Sequence, residues 1–505
     1  MEIGQVIGAT TLRGFRFVIK KGMEKHVKRD EFVTIKESVT DNEILGIIKE
    51  ITISNELLPD EFGRDLRLDD IILLEGEYPV PTVKILGYEH ENGLEIPRYG
   101  IKPGSMVNLA RDEILKRILR QDKDKAAMIG TLSTRDSVHV YISINDLVSR
   151  HCAILAMTGA GKSYTVGVLV EELLKKKGSV VIFDPHGEYK CLETKNSKTV
   201  VYSVKGRDRI GIETASLRTG DFTNLVPDIT EPQRDLLDEV LTIARKFYEK
   251  YDLDIIKDML NLIYDLKDGK EIETEVIPEE YLKDISKRVS LSTIGALLRR
   301  IERLNRMGIF RMSGTPLDKV VHRNQLTVID LSDADERISE TIIAAVSRRI
   351  FEARKQFVKE SEGDASIPTF LIIEEAHNFA PRTEERKILS KSILKKIARE
   401  GRKFGVGLCI VSQRPNRLDA DILSQCNTQI IMKIVNPSDQ EYIRQSVESV
   451  TEDIVRDLPS LSRGEAIIVG SAINLPVSVK IRKRTTPVGG EDIDIVGVWK
   501  NASYK

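Results

Sequence analysis

The chain has 505 residues, enough for two or three domains. Lys and Arg number 77 against 78 Asp and Glu, which excludes a polybasic protein held to nucleic acid by bulk charge. Charged residues at 31% and hydrophobic ones at 41% exclude a disordered chain and fit a soluble protein with a real core.

No run approaches the 18 apolar residues of a membrane span, and Met1-Glu2-Ile3-Gly4 does not open a signal peptide, so the expectation is a cytoplasmic protein without a membrane. The four cysteines, Cys152, Cys191, Cys409 and Cys426, lack metal-ligand spacing and read as small buried hydrophobes in a reducing compartment. Heavy use of Lys, Glu and Arg beside a single Trp, Trp499, fits a heat-stable protein.

Residues 1–110 carry short β-prone runs, such as Phe15–Ile19, Glu31–Ile35 and Val83–Tyr88, separated by Gly, Pro, Asn and Asp. That pattern predicts a small N-terminal β-barrel. Residues 111–145 read as a linker, beginning with a charged helix over 112–124. From 146 to 485 apolar strands alternate with helices, which predicts an α/β core with a parallel sheet covered on both faces. The predicted strands are 153–156, 180–184, 199–204, 326–331, 370–373, 406–411 and 429–434. Residues 228–308 read as a helical insertion opened by the capping box Thr230-Glu231-Pro232-Gln233. Residues 486–505 form a C-terminal extension.

The strongest local signal is Ala156-Met157-Thr158-Gly159-Ala160-Gly161-Lys162-Ser163, a P-loop with Ala in place of the first Gly. Gly159 and Gly161 allow backbone N–H groups to turn toward phosphate oxygens. Lys162 supplies charge to the β- and γ-phosphates of ATP, and the Ser163 hydroxyl is a Mg²⁺ ligand. Thr158, Ala160 and Tyr164 complete the stretch assigned to the nucleotide. A predicted strand precedes it and a predicted helix, 164–177, aims its N-terminus at the anion.

Thr369–Ile373 followed by Glu374 and Glu375 reads as a Walker B strand. Glu374 takes the metal role and Glu375 the water-activating role; the alternative is a solvated helix cap. At two other strand ends, Phe183-Asp184-Pro185-His186-Gly187-Glu188-Tyr189 offers Asp184 and Glu188 to the nucleotide, and Ser412-Gln413-Arg414-Pro415 places Gln413 as a γ-phosphate sensor. His186 and His377 read as hydrogen-bonding residues. The basic run 395–404 either complements a helix C-terminus or supplies an arginine finger to a neighbouring subunit; Arg399 is the first choice, Arg402 the reserve, and Arg150 a second contact.

Taken together, these residues resemble the HerA family of DNA motor ATPases within the FtsK–HerA group of RecA-like enzymes. The resemblance rests on the barrel, on MTGAGKS (157–163), FDPHGEY (183–189), IIEEAHNF (372–379), AREGRKFG (398–405) and SQRP (412–415). It implies a RecA-like core, a homo-hexameric ring moving along double-stranded DNA with ATP and Mg²⁺, and a NurA-type nuclease as partner in resecting DNA ends for recombinational repair. The loops 205–209 and 382–387 are candidates for a DNA channel or for plain solvated surface. Competing readings are a protein-moving secretion-type ATPase and a nucleotide-switched scaffold.

Overall fold

The computed structural model describes residues 1–55, 77–90, 93–226, 228–361, 366–383, 388–489 and 495–496. Trp499 and most of the expected C-terminal extension lie outside the described residues. The chain packs as two compact units, and each is threaded by more than one segment: 1–121, 130–141 and 474–480 form the first, and 122–129, 142–473 and 481–505 the second.

The first unit is built on β1 (Glu2–Ile7), β2 (Gly14–Ile19), β3 (Phe32–Lys36), β4 (Glu43–Asn55), β5 (Glu77–His90), β6 (Gly93–Glu95) and β7 (Met106–Leu109). The order β2-β1-β7-β3-β4-β5 closes by pairing β2 with β5, giving the expected barrel with six antiparallel strands; β6 extends the sheet from β5. Alternation puts Ile3, Phe15, Phe17, Val33, Ile35, Ile44, Val83 and Val107 inside. A Cβ at Gly4 would lie 2.2 Å from the Val18 carbonyl oxygen, so only glycine lets β1 and β2 approach there.

The charged stretch expected as a linker is a packed element. Helix α1 (Asp112–Ile118) buries Ile114, Leu115 and Ile118. Beyond it lie β8 (Ala126–Leu132) and β9 (Arg135–Ser143). Arg135 is 2.9 Å from Asp112 at the start of α1 and 2.8 Å from Glu31. An apolar stripe and a three-residue charge network hold in place what charge alone made look like a tether.

The long central segment of the second unit opens with α2 (Ile144–Ser149), β10 (Cys152–Leu155), α3 (Lys162–Lys175), β11 (Ser179–Asp184) and β12 (Lys198–Ser203). A short parallel pair, β13 (Ile212–Glu213) and β14 (Phe310–Arg311), brackets the helical insertion of α4 (Thr219–Leu225), α5 (Glu231–Phe247), α6 (Leu253–Lys267), α7 (Glu279–Arg288) and α8 (Leu291–Asn305). The expected capping box is present at the start of α5, with the Thr230 N–H donating to Gln233. Then follow α9 (Leu317–Val320), β15 (Gln325–Asp330), α10 (Glu336–Glu360), β16 (Thr369–Ile373), α11 (Ala376–Phe379), α12 (Leu389–Glu400), β17 (Val406–Ser412), α13 (Ala420–Gln425), β18 (Thr428–Ile431) and β19 (Glu465–Gly470).

Within this unit the strand order is β12-β15-β11-β16-β17-β10-β18-β19, parallel throughout except for the antiparallel pair β18–β19. The seven strands expected from apolar runs are all present. Every residue of β10, β11, β15, β16 and β17 is buried, as a sheet covered on both faces requires. Cys152, Cys409 and Cys426 are buried and unpaired, whereas Cys191, expected inside, is exposed on the irregular chain after the 183–189 turn. Among the described residues, no helix is long and apolar enough to cross a membrane.

Candidate active site

Four strand ends converge at the carboxyl edge of this sheet. β10 runs into the P-loop, where Gly159 (φ 79°) and Gly161 (φ 110°) adopt the left-handed backbone that leaves N–H groups pointing inward. Nothing lies within 4 Å of a Cβ placed on Gly159, so a ligand can approach the backbone closely. Gly161 is the N-cap of α3 and brings no side-chain cap, which leaves the first-turn N–H groups for an anion.

Lys162 opens α3, and its Nζ lies 3.5 Å from Glu375 Oε1, with both side chains almost fully buried. Glu375 follows β16 in a left-handed conformation (φ 48°), a strained placement for a residue with a side chain. Its Oε2 is buried with no hydrogen-bond partner, although His377 Nδ1 is 3.3 Å away. His377 is pushed down to about 4 by burial and then by the cations Arg414 and Lys162, so this neighbour is neutral at ordinary pH. Its Nδ1 also lies 3.1 Å from Ser412 Oγ, at the end of β17. His186, largely exposed, reaches within 3.8 Å of Glu375 Oε1.

Glu374 is the other half of the pair. It is buried, and the Tyr189 hydroxyl donates to its Oε1. Burial lifts its carboxyl to about 8, outweighing the opposing effects of Tyr189 and Lys162. Two adjacent carboxylates therefore have different surroundings: Glu374 rests against a phenol, Glu375 against an ammonium.

Asp184, expected to reach the nucleotide, turns inward instead. One of its oxygens accepts from His186 N (3.2 Å) and Gly187 N (2.8 Å), the other from Tyr189 N (3.0 Å). Burial raises its carboxyl even so. Its place is that of the staple that folds the 184–189 turn and delivers Tyr189 to Glu374. Glu188 is half-buried in the same turn, near enough to Glu374 to raise its carboxyl further. Gln413 leaves β17 and accepts a hydrogen bond from the Thr158 hydroxyl, joining the sensor strand to the P-loop.

The three arginines lie at the other end of the sheet. Arg150 precedes β10 and pairs with Asp146 at 3.5 Å. Arg399 ends α12, exposed, 2.9 Å from Asp421. Arg402 is exposed in the turn before β17. The P-loop follows the strand that Arg150 precedes, so these cations and Lys162 occupy opposite edges of the same sheet. Of the two candidate channel loops, 205–209 is exposed, and residues 384–387 of the other lie outside the described residues.

One residue that sequence reasoning passed over ties β10, β17 and α12 together at this amino edge. His151 is buried with φ 61°, accepts at Nδ1 from Leu408 N–H at 3.0 Å, and faces the Ala398 carbonyl. Burial holds it down to about 4, so it stays neutral and keeps its acceptor. A lone histidine carries no periodic or spacing signal that could have announced this.

Residues 127–350 match the family described as Helicase HerA, central domain. A protein named probable DNA double-strand break repair helicase HerA, from Methanocaldococcus jannaschii, is 33% identical across 99% of this chain and 99% of its own length. The DNA double-strand break repair helicase HerA of Pyrococcus furiosus is 33% identical across 98% of this chain and 96% of its own. The chain belongs to the HerA family. Among solved structures, VirB4 of Thermoanaerobacter pseudethanolicus superposes with a TM-score of 0.50 at 16% identity, covering 72% of this chain and 97% of that one, a likeness of fold.

The residues of this HerA-family site fit a nucleotide with its cation. The glycine turn is open, Glu375 Oε2 is an orphaned acceptor, and Ser163 and Glu374 are the oxygen ligands a Mg²⁺ ion would use, directly or through water.

Proposed function

We propose that this protein is an ATP-driven motor that moves along double-stranded DNA as a homo-hexameric ring. It would work beside a NurA-type nuclease in the cytoplasm during repair of double-strand breaks. The names of its relatives support the DNA and the repair context. The observation that carries the motor reading is the separation of Lys162, Glu374 and Glu375 at one edge of the sheet from Arg150, Arg399 and Arg402 at the other.

ATP would supply the phosphoryl group, and Mg²⁺ the charge that neutralises it. Ser163 and Glu374 would hold the cation, and Lys162 would place its ammonium against the terminal phosphates. Glu375 Oε2, which has no hydrogen bond to give up, would take the proton of the water that attacks the γ-phosphorus as the bond to the departing ADP oxygen breaks. Gln413, bonded to Thr158, would sense the γ-phosphate.

In a closed ring a head-to-tail contact would bring one subunit's amino edge, with its arginines, to its neighbour's carboxyl edge. In this reading the first unit serves ring assembly and nuclease docking, and exposed loops such as 205–209 gather basic charge around the duplex. The test is ATP turnover measured with no DNA, single-stranded DNA and double-stranded DNA, beside the mass of the assembly. Stimulation by duplex and a six-fold mass are expected. Turnover indifferent to DNA would favour a protein-moving ATPase, and no turnover at all would leave a nucleotide-switched scaffold.

A further inference from the structure

Residues 482–489 run across one face of α3, the face formed by Tyr164, Gly167 and Glu171 at spacings of three and four. Their anchorage is dense. Glu171, 1% exposed, accepts at Oε1 from Thr485 N, Thr486 N and Thr486 Oγ1, each at 2.8 Å. Arg482 Nη1 forms an ion pair with Glu171 Oε2 at 2.8 Å, and Nη2 bonds Glu172 at 2.8 Å. A surface strap held only to cover a helix does not need a buried carboxylate with this many partners.

What the anchorage fixes is Arg484. Its backbone N–H donates to the Tyr164 hydroxyl at 2.7 Å, and its guanidinium bonds Thr486 Oγ1 at 3.1 Å and the Pro487 carbonyl at 2.7 Å. A Cβ placed on Gly167 would lie 2.4 Å from Arg484 Cζ, 2.5 Å from Nε and 2.7 Å from Nη1. Three nearly equal distances mean that the guanidinium lies flat on the helix at Gly167. One face covers the glycine and the other is turned away from α3.

The direction of a bound nucleotide follows from the P-loop. Its backbone cradles the α- and β-phosphates while the lysine reaches the β and γ. Here Lys162, Glu375 and Gln413 mark the γ end. The sugar and base therefore leave at the other end, past Ser163, toward Tyr164 and the next turn of α3.

We infer that Arg484, laid flat on Gly167 beside Tyr164, is the nucleobase-stacking residue of this chain, and that the purine ring rests on its outward face. The inference rests on the nucleotide reading above. A planar guanidinium stacks on an aromatic ring where an ammonium does not, and the Glu171 anchorage orders the strap before the ligand arrives. Gly167 belongs to the same device, because any side chain there would lift the guanidinium from its seat.

The test is calorimetric binding of ATP and of inorganic tripolyphosphate, which lacks sugar and base, to the full chain with Mg²⁺. Arg484→Ala and Arg484→Lys are expected to weaken ATP about tenfold while leaving tripolyphosphate unchanged. Gly167→Ala, which suits a helix better than glycine, is expected to do the same and guards against a misfolded Arg484 variant. Equal weakening of both ligands would overturn the inference and make the strap a positioning element for α3. Unaltered ATP affinity in all three variants would overturn it as well. If the unmodified protein binds neither ligand, the nucleotide reading itself falls.

Discussion

Glu374→Gln should make the protein more stable and inactive, and the gain in stability should grow with pH. Glu374 is 4% exposed, and its carboxyl is lifted from 4.5 to about 8, chiefly by burial. Between those values the folded chain holds a proton that the unfolded chain has released, so stability falls as pH rises through this window. A displacement of about 3.5 on the pH scale corresponds to a ceiling of about 5 kcal/mol, and relaxation around the charge brings the expected difference to ~2–5 kcal/mol at pH 9. Glutamine keeps the shape and still accepts from the Tyr189 hydroxyl, but it carries no proton to lose. Urea unfolding of both proteins from pH 5 to 9, with chelator and without nucleotide, should give midpoints that agree near pH 5 and then separate. Taking the difference cancels the contributions of His151 and His377. A constant difference across that range would refute the reasoning, because it would mean that Glu374 is already ionised at neutral pH. Turnover should be lost at every pH, since glutamine cannot supply the charge that holds Mg²⁺.

Lys162→Ala should reduce ATP turnover to background while the circular dichroism spectrum stays that of the parent; near-normal turnover would remove the P-loop assignment. Arg399→Ala should bind nucleotide and assemble normally yet lose turnover by about 10³–10⁵. Mixed with Lys162→Ala subunits it should regain part of that activity, and mixed rings that regain nothing would show that Arg399 does not act across the interface. His151→Phe should cost about 1–3 kcal/mol at neutral pH by orphaning the Leu408 N–H. Because His151 is held down to about 4 from 6.5, its contribution is complete above pH 6.5 and is lost as pH falls toward 4. The variant should therefore show a shallower acid limb in its unfolding midpoint, and an unchanged limb would contradict a neutral His151.

The site was legible where its chemistry is contiguous. Thr158–Ser163 and Glu374–Glu375 each occupy one turn of chain beside a buried strand, so motif, strand and helix announce one another. The barrel was legible because alternation in strands such as Phe15-Arg16-Phe17 leaves a period of two. Contacts made by single residues across long stretches of sequence were not legible. Tyr189 and Glu374 are 185 positions apart, and Glu171 and Thr486 are 315 apart. Neither pair has a periodicity, and Arg, Thr and Tyr in a polar segment read as surface. The part Asp184 plays in its own turn was not legible for a related reason. A carboxylate at a strand end serves a ligand or its own turn, and only the backbone N–H groups of 186, 187 and 189 distinguish the two. The helix 112–118 read as a tether because its charges are visible in the sequence and its partner Arg135 is not.

The hydrogen bonds of His151 tie β10, β17 and α12 together at the amino edge of the sheet. The residue opens β10, whose far end is the P-loop, and its ring accepts from the N–H of Leu408 on β17, whose far end holds Gln413 against Thr158. The same ring faces Ala398, next to Arg399 in the last turn of α12. A Cβ on Gly401 would lie 2.3 Å from the Val406 carbonyl oxygen and 3.3 Å from the imidazole, so the turn carrying Arg402 is pressed onto this joint. Fully buried strands do not stretch; they move as units. A displacement of β10 relative to β17, caused by what the P-loop holds, would therefore reach Ala398 and the arginines beside it through one imidazole. In the ring proposed above, those arginines would face the next subunit's nucleotide. One imidazole thus links the P-loop strand, the sensor strand and the last turn of α12.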